Sequence, residues 1–200
     1  MPLDLTGISN VNEFYSHHYL DALLESDIKS LVSRWEEVEE EQGLAAPHKK
    51  LSGCAQEYFK GKAQTSQTAS IWDHFDETHR INVLLAEALG YGHEVGAYEF
   101  VEDEQVVPVL ASLQRDGQPY LWIVEAQFPG ADHPPVLDQV IDAFRKPEAA
   151  EDHALPKEKW ENLLSQVFRR EQPPRWLLLL AGSEIYLIER HKWGQGKYLL

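Results

Sequence analysis

The dipeptide Asp116-Gly117, set between two strand-like apolar runs that together span Gln105 to Phe128, restricts the fold of this chain more than any other feature. Asp and Gly both tolerate the left-handed backbone of a two-residue turn, so the pattern predicts a β-hairpin. If these residues form the turn, Arg115 pairs with Gln118. Counting outward then sets Leu110 opposite Ile123 and Pro108 opposite Glu125. Side chains alternate faces along a strand, so Leu121, Ile123, Glu125 and Gln127 share one face, beside Val106, Pro108, Leu110 and Ser112.

The second run ends in Glu125-Ala126-Gln127. A buried strand ending in Glu-x-Lys, or a near relative of it, is how restriction-type nucleases hold a metal. Glu125 is therefore the candidate metal ligand and, with Gln127, the candidate catalytic pair. Ligand counting argues that the pair is degenerate. A hard divalent cation needs several oxygen ligands and usually more than one carboxylate, and the predicted register brings none near Glu125. Asp116 lies about seven strand residues away, which at ~3.3 Å per residue is roughly 23 Å. Gln127 stands where a lysine would steady the developing charge, and it brings no charge. Only a carboxylate migrating from Glu99 or Glu87 would rescue a Mg²⁺-dependent centre.

Charge bears on the same question. With 18 Lys and Arg against 33 Asp and Glu, the net charge is −15, unlike that of a protein that grips DNA over a broad face. Lys49, Lys50, Lys60 and Lys62 form only a weak basic cluster, and Glu36 to Glu41 is a solvated helix end. The expectation is weak DNA binding by this segment. The single Cys54 excludes an intramolecular disulfide and a cysteine-based zinc cluster. No apolar run approaches the length that spans a bilayer, and no basic-then-apolar leader opens the chain. These features predict a cytoplasmic protein without a membrane partner.

The periodicity predicts one or two helices over 11–42, closed by Gly43, then a linker around Pro47 and a helix over 51–63. A stronger helix is expected from Ser70 to Leu89, then a strand over 96–101 and the hairpin strands over 106–114 and 119–128. A short helix is expected over 136–144. Pro156 opens a helix whose Trp160, Leu163, Leu164, Val167 and Phe168 keep helical spacing, and strands follow at 176–180 and 185–188. Helix, three strands, helix, strand, strand is the element order of a restriction-endonuclease-like α/β fold, a mixed sheet flanked by helices. Residues 1–66 form a helical N-terminal extension and residues 67–200 the core. His17-His18, adjacent on a helix, cannot chelate one ion, and His74 and His79 are five apart, again the wrong spacing for a shared ion. With Asp73, Asp76 and Glu77 beside them, His74 and His79 read as solvated surface.

The two ends of the chain carry a family likeness. Ser9-Asn10-Val11-Asn12-Glu13-Phe14-Tyr15-Ser16-His17-His18-Tyr19-Leu20 resembles the opening of large bacterial type IIG-like restriction-modification proteins, which are class I S-adenosylmethionine-dependent DNA methyltransferases. Arg175 to Leu180, Ile185 to Arg190 and Lys192 to Leu199 resemble the strand pair that closes the N-terminal domain of that family. The resemblance implies a degenerate PD-(D/E)xK nuclease-like domain, with Glu125 and Gln127 at the matching positions and apolar residues around Pro108 where a carboxylate would stand. It implies that this is the front part of a longer protein, in keeping with the strand-like ending Tyr198-Leu199-Leu200. The Asn-Pro-Pro-aromatic motif and the glycine-rich cofactor loop of adenine methylation are not in these 200 residues. S-adenosylmethionine would therefore belong to a downstream domain, which is also the implied partner. The reading is a structural, non-cleaving domain of a phage-defence or restriction-modification methyltransferase. An active Mg²⁺-dependent endonuclease domain and a protein-interaction domain unrelated to nucleic acid are the alternatives.

Overall fold

The computed structural model describes residues 4–65, 71–94, 98–100, 106–129, 134–141 and 157–200. They form a mixed α/β structure. Its main sheet contains β1 (Asn10–Val11), β4 (Ala111–Arg115), β5 (Gln118–Glu125), β6 (Trp176–Ala181), β7 (Glu184–Glu189) and β8 (Tyr198–Leu199), in the order β1-β8-β7-β6-β5-β4. β5 and β6 run parallel and the other neighbours antiparallel, so the sheet is mixed. A separate ribbon pairs β2 (Tyr98–Phe100) with β3 (Val106–Pro108).

Both faces of β5 and β6 are covered, which is why these strands are almost continuously apolar. On one face Leu121, Ile123, Leu178 and Leu180 pack with Ile81 and Leu85 of α3 (Ile71–Ala88). On the other, Trp122, Val124, Leu177 and Leu179 meet Trp160, Leu163, Leu164 and Val167 of α4 (Trp160–Arg169). The apolar spacing of α4 is thus the stripe that seats it on the sheet. Pro156 lies outside the described residues.

The hairpin turn forms at Asp116 and Gly117, with φ of 53° and 72°, and Arg115 pairs with Gln118. The predicted register does not persist. Gln114 pairs with Pro119 but Leu113 with Leu121, so Tyr120 is an extra, bulged residue on β5. Pro119 has no N–H to give the ladder, and a bulge is how a strand accommodates that. Ala111, not Leu110, therefore faces Ile123, and Pro108 pairs with Tyr98 of β2 rather than with Glu125.

Further departures lie near the N-terminus and after the hairpin. Asn10 and Val11 join the sheet as β1 instead of opening a helix, because Asn10 holds the Tyr15 backbone through both side-chain atoms and Asn12 and Glu13 adopt positive φ. A π-helical turn over Tyr19–Leu23 leads into α1 (Leu24–Gln42), which ends at Gly43 in the left-handed conformation. Pro47 begins α2 (Pro47–Thr65) instead of sitting in a linker, as suits a first helical position whose N–H is unneeded. The helix expected over 136–144 is a single 3₁₀ turn, Val136–Asp138, with 142–144 outside the described residues. It stops because Gln139 turns extended and spends its side chain on the backbone of Gln127.

Candidate functional site

Glu125 is the last residue of β5, and its carboxylate points to the α3 face of the sheet. His79 Nδ1 stands 2.8 Å from Oε1 and 3.0 Å from Oε2, and Asn82 Nδ2 donates to Oε2 at 3.3 Å. A carboxylate can only accept, so His79 is the donor. The pair is largely enclosed, with side-chain exposures of 23% for His79 and 11% for Glu125. His93 adds an edge-on ring contact to His79 at 5.6 Å between centroids.

Gln127 lies on the same side. Its Oε1 is 3.2 Å from His74 Nδ1, so the amide reaches α3 just as Glu125 does. Its backbone N–H donates to Gln139 Oε1 at 2.8 Å, and its carbonyl accepts from Gln139 Nε2 at 3.0 Å. Gln127 and Gln139 are both buried, and this pairing satisfies backbone groups that have left the sheet ladder.

Asn82 connects the carboxylate to the next turn of the sheet. It is fully buried, donates to the Ala126 carbonyl at 3.4 Å, and accepts the Gly182 N–H at 2.8 Å through Oδ1. Gly182 also accepts from the Tyr58 hydroxyl at 3.1 Å, and burial pushes the Tyr58 phenol up, which keeps it a donor. One chain of polar contacts therefore runs from α2 through Gly182 and Asn82 to Glu125 and His79.

His74 and His79 are thus not solvated surface, and this corrects the sequence reading. Five helical residues rise about 7.5 Å, close to the ~6.6 Å between strand positions 125 and 127, but they also turn about 140° around the axis, so the spacing alone does not announce this pairing. Asp73 and Asp76 are exposed, as expected. His17 is exposed and within 3.4 Å of Glu13.

The described residues do not fit a Mg²⁺ site. Glu125 is bonded to His79 and Asn82, and the cavity beside it, lined by Phe75, Pro108, Gln127, Ile141 and Trp160, has a volume of only about 20 Å³. That is room for about one water, whereas Mg²⁺ holds six ligands and gives up its waters reluctantly. No group of three or more His, Cys, Asp or Glu among the described residues has the geometry to hold a metal. Of the two carboxylates that would have to migrate, Glu99 is 3.5 Å from Arg170, which lies over the Trp122 ring on the α4 side, and Glu87 is exposed near the end of α3. No helix among the described residues is long and apolar enough to cross a membrane. No family model, curated protein or solved structure matches the chain.

Proposed function

We propose that this chain is a restriction-endonuclease-like domain of a DNA restriction-modification or phage-defence methyltransferase, in which the former metal ligand has become a structural residue. The observation that carries the reading is the contact of His79 with both oxygens of Glu125 at the end of the strand where such nucleases place their acid. The order of α3, the β4–β5 hairpin, α4 and the parallel strand β6 supports it, as do the likenesses at the two ends of the chain. With its carboxylate bound into the helix–sheet interface, Glu125 holds α3 onto β5 instead of holding a cation. The domain's work is then to pack against a methyltransferase body and to position DNA in the cytoplasm, with S-adenosylmethionine bound elsewhere in the longer protein.

Plasmid nicking tests the reading. The purified chain should leave supercoiled DNA intact with Mg²⁺ or Mn²⁺, and Glu125→Ala should behave identically. Metal-dependent nicking that disappears in Glu125→Ala would replace this reading with the active endonuclease, and Glu99 and Glu87 would be the first carboxylates to substitute.

A further inference from the structure

At the far end of β5 from Glu125, three arginines line one cleft of about 550 Å³: Arg115 at the end of β4, Arg175 just before β6, and Arg190 at the start of α5 (Arg190–Trp193), whose guanidinium also reaches His191 Nε2 at 3.2 Å. Topology brings them together. Arg115 pairs with Gln118 beside the turn, Trp176 pairs with Glu189, and the Arg190 N–H donates to the Arg175 carbonyl at 3.0 Å. Two of the three lie over aromatic rings, Arg115 Cζ at 5.6 Å from the Tyr120 centroid and Arg175 Cζ at 5.8 Å from that of Trp176.

The bulge places Tyr120 at this cleft. As the extra residue of β5, Tyr120 lines both the arginine cleft and an adjoining, more apolar one of about 240 Å³. Tyr91, just past the end of α3, and Trp176 line the second cleft with it, over Leu121, Leu178 and Leu187. Cations able to fork around phosphate oxygens thus stand next to half-buried aromatic rings. Single-stranded nucleic acid asks for that combination, because its backbone needs positive charge and its unpaired bases need π-faces to stack on. A duplex keeps its base faces to itself and would leave Tyr120 and Trp176 unused.

Charge sets the expected strength. Asp116 and Glu171 line the same cleft with the three arginines, and Glu189 stands 3.7 Å from Arg175, so the charges nearly balance and affinity must lean on stacking as much as on the phosphates. The acidic run Glu36 to Glu41 lies on α1, none of whose residues lines the cleft. The net charge of −15 therefore weakens binding without abolishing it.

We propose that this cleft binds single-stranded DNA, with Arg115, Arg175 and Arg190 on the phosphates and Tyr120 and Trp176 stacked on bases. The inference rests on the DNA-handling reading above and deepens it by naming the strand that is bound. Glu125 takes no part in it, so nicking and strand binding can fail separately.

Fluorescence anisotropy on the full chain, with a labelled oligothymidylate of about 20 nucleotides and a duplex of equal length at low salt, tests it. The single strand should bind in the micromolar range and about tenfold more tightly than the duplex. Arg115→Ala with Arg190→Ala should weaken binding about tenfold and flatten the salt dependence by about 1.4, two contacts at ~0.7 each. Tyr120→Leu should remove most of the preference for the single strand, and Tyr120→Phe, which keeps the ring, should retain it. Circular dichroism checks that each variant is folded. A single strand bound no better than duplex, or binding unchanged in the folded arginine or Tyr120→Leu variants, overturns the proposal. Inorganic polyphosphate competing as well as the oligonucleotide would overturn the stacking role.

Discussion

His79 Nδ1 lies within 3.0 Å of both carboxylate oxygens of Glu125, and that contact joins the middle of α3 to the end of β5, the strand next to the sheet edge. A charge-assisted hydrogen bond between largely enclosed groups is worth more than its exposed counterpart, and leaving one partner without the other costs more than the bond's net contribution. On the proposed reading, this contact is what gives Glu125 a structural role.

Removing the imidazole should therefore destabilise the fold. His79→Ala is expected to lower the unfolding free energy by about 1–3 kcal/mol, and Glu125→Ala by a similar amount. The double variant should lose clearly less than the sum, with a coupling of about 1 kcal/mol, because each single variant already abolishes the same contact. Urea unfolding of the four proteins measures this, and additive losses would show that the contact contributes nothing.

Gly182 should be the least replaceable residue of the turn between β6 and β7. Its φ is 66°, and a Cβ added there would clash with one edge of the Phe128 ring, itself buried. The same residue gives its N–H to Asn82 and its carbonyl to Tyr58, so the turn cannot shift without breaking both bonds. Gly182→Ala should cost about 3 kcal/mol or more in urea unfolding. A loss under about 1 kcal/mol would mean that the Phe128 ring moves freely.

Several parts of this arrangement were legible in the amino-acid order. The Asp116-Gly117 turn, the apolar stripe of α4 and the doubly covered strands β5 and β6 follow from turn chemistry and periodicity, which act locally. The register at Glu125 did not follow, because one bulged residue at Tyr120 shifts every later pairing. The proline at 119 was the clue, since it cannot donate to a ladder. The partners of Glu125 are not legible in the sequence, because the spacing of His74 and His79 suits no shared ion. Each instead meets a different residue of β5. Gln139, 12 positions beyond Gln127, joins it by tertiary folding that no short-range pattern records.

Duplex DNA should bind poorly. With a net charge of −15, and an arginine cleft rimmed by Asp116 and Glu171, the described residues present no broad basic face of the kind that counterion release requires. Fluorescence anisotropy at physiological salt should show no submicromolar affinity for a duplex and a steep loss of whatever weak binding low salt permits. Submicromolar duplex affinity would contradict this reading of the charge.

The central claim, that Glu125 holds α3 and not a cation, is tested most directly by titrating Mn²⁺ into the isotopically labelled chain and following amide signals by NMR. A paramagnetic ion at the carboxylate would broaden the amides from Val124 to Gln127 first, along with those of His79 and Asn82. The account predicts no selective, saturable broadening there, in the wild type or in Glu125→Ala. Saturable broadening centred on Glu125 that Glu125→Ala abolishes would contradict it.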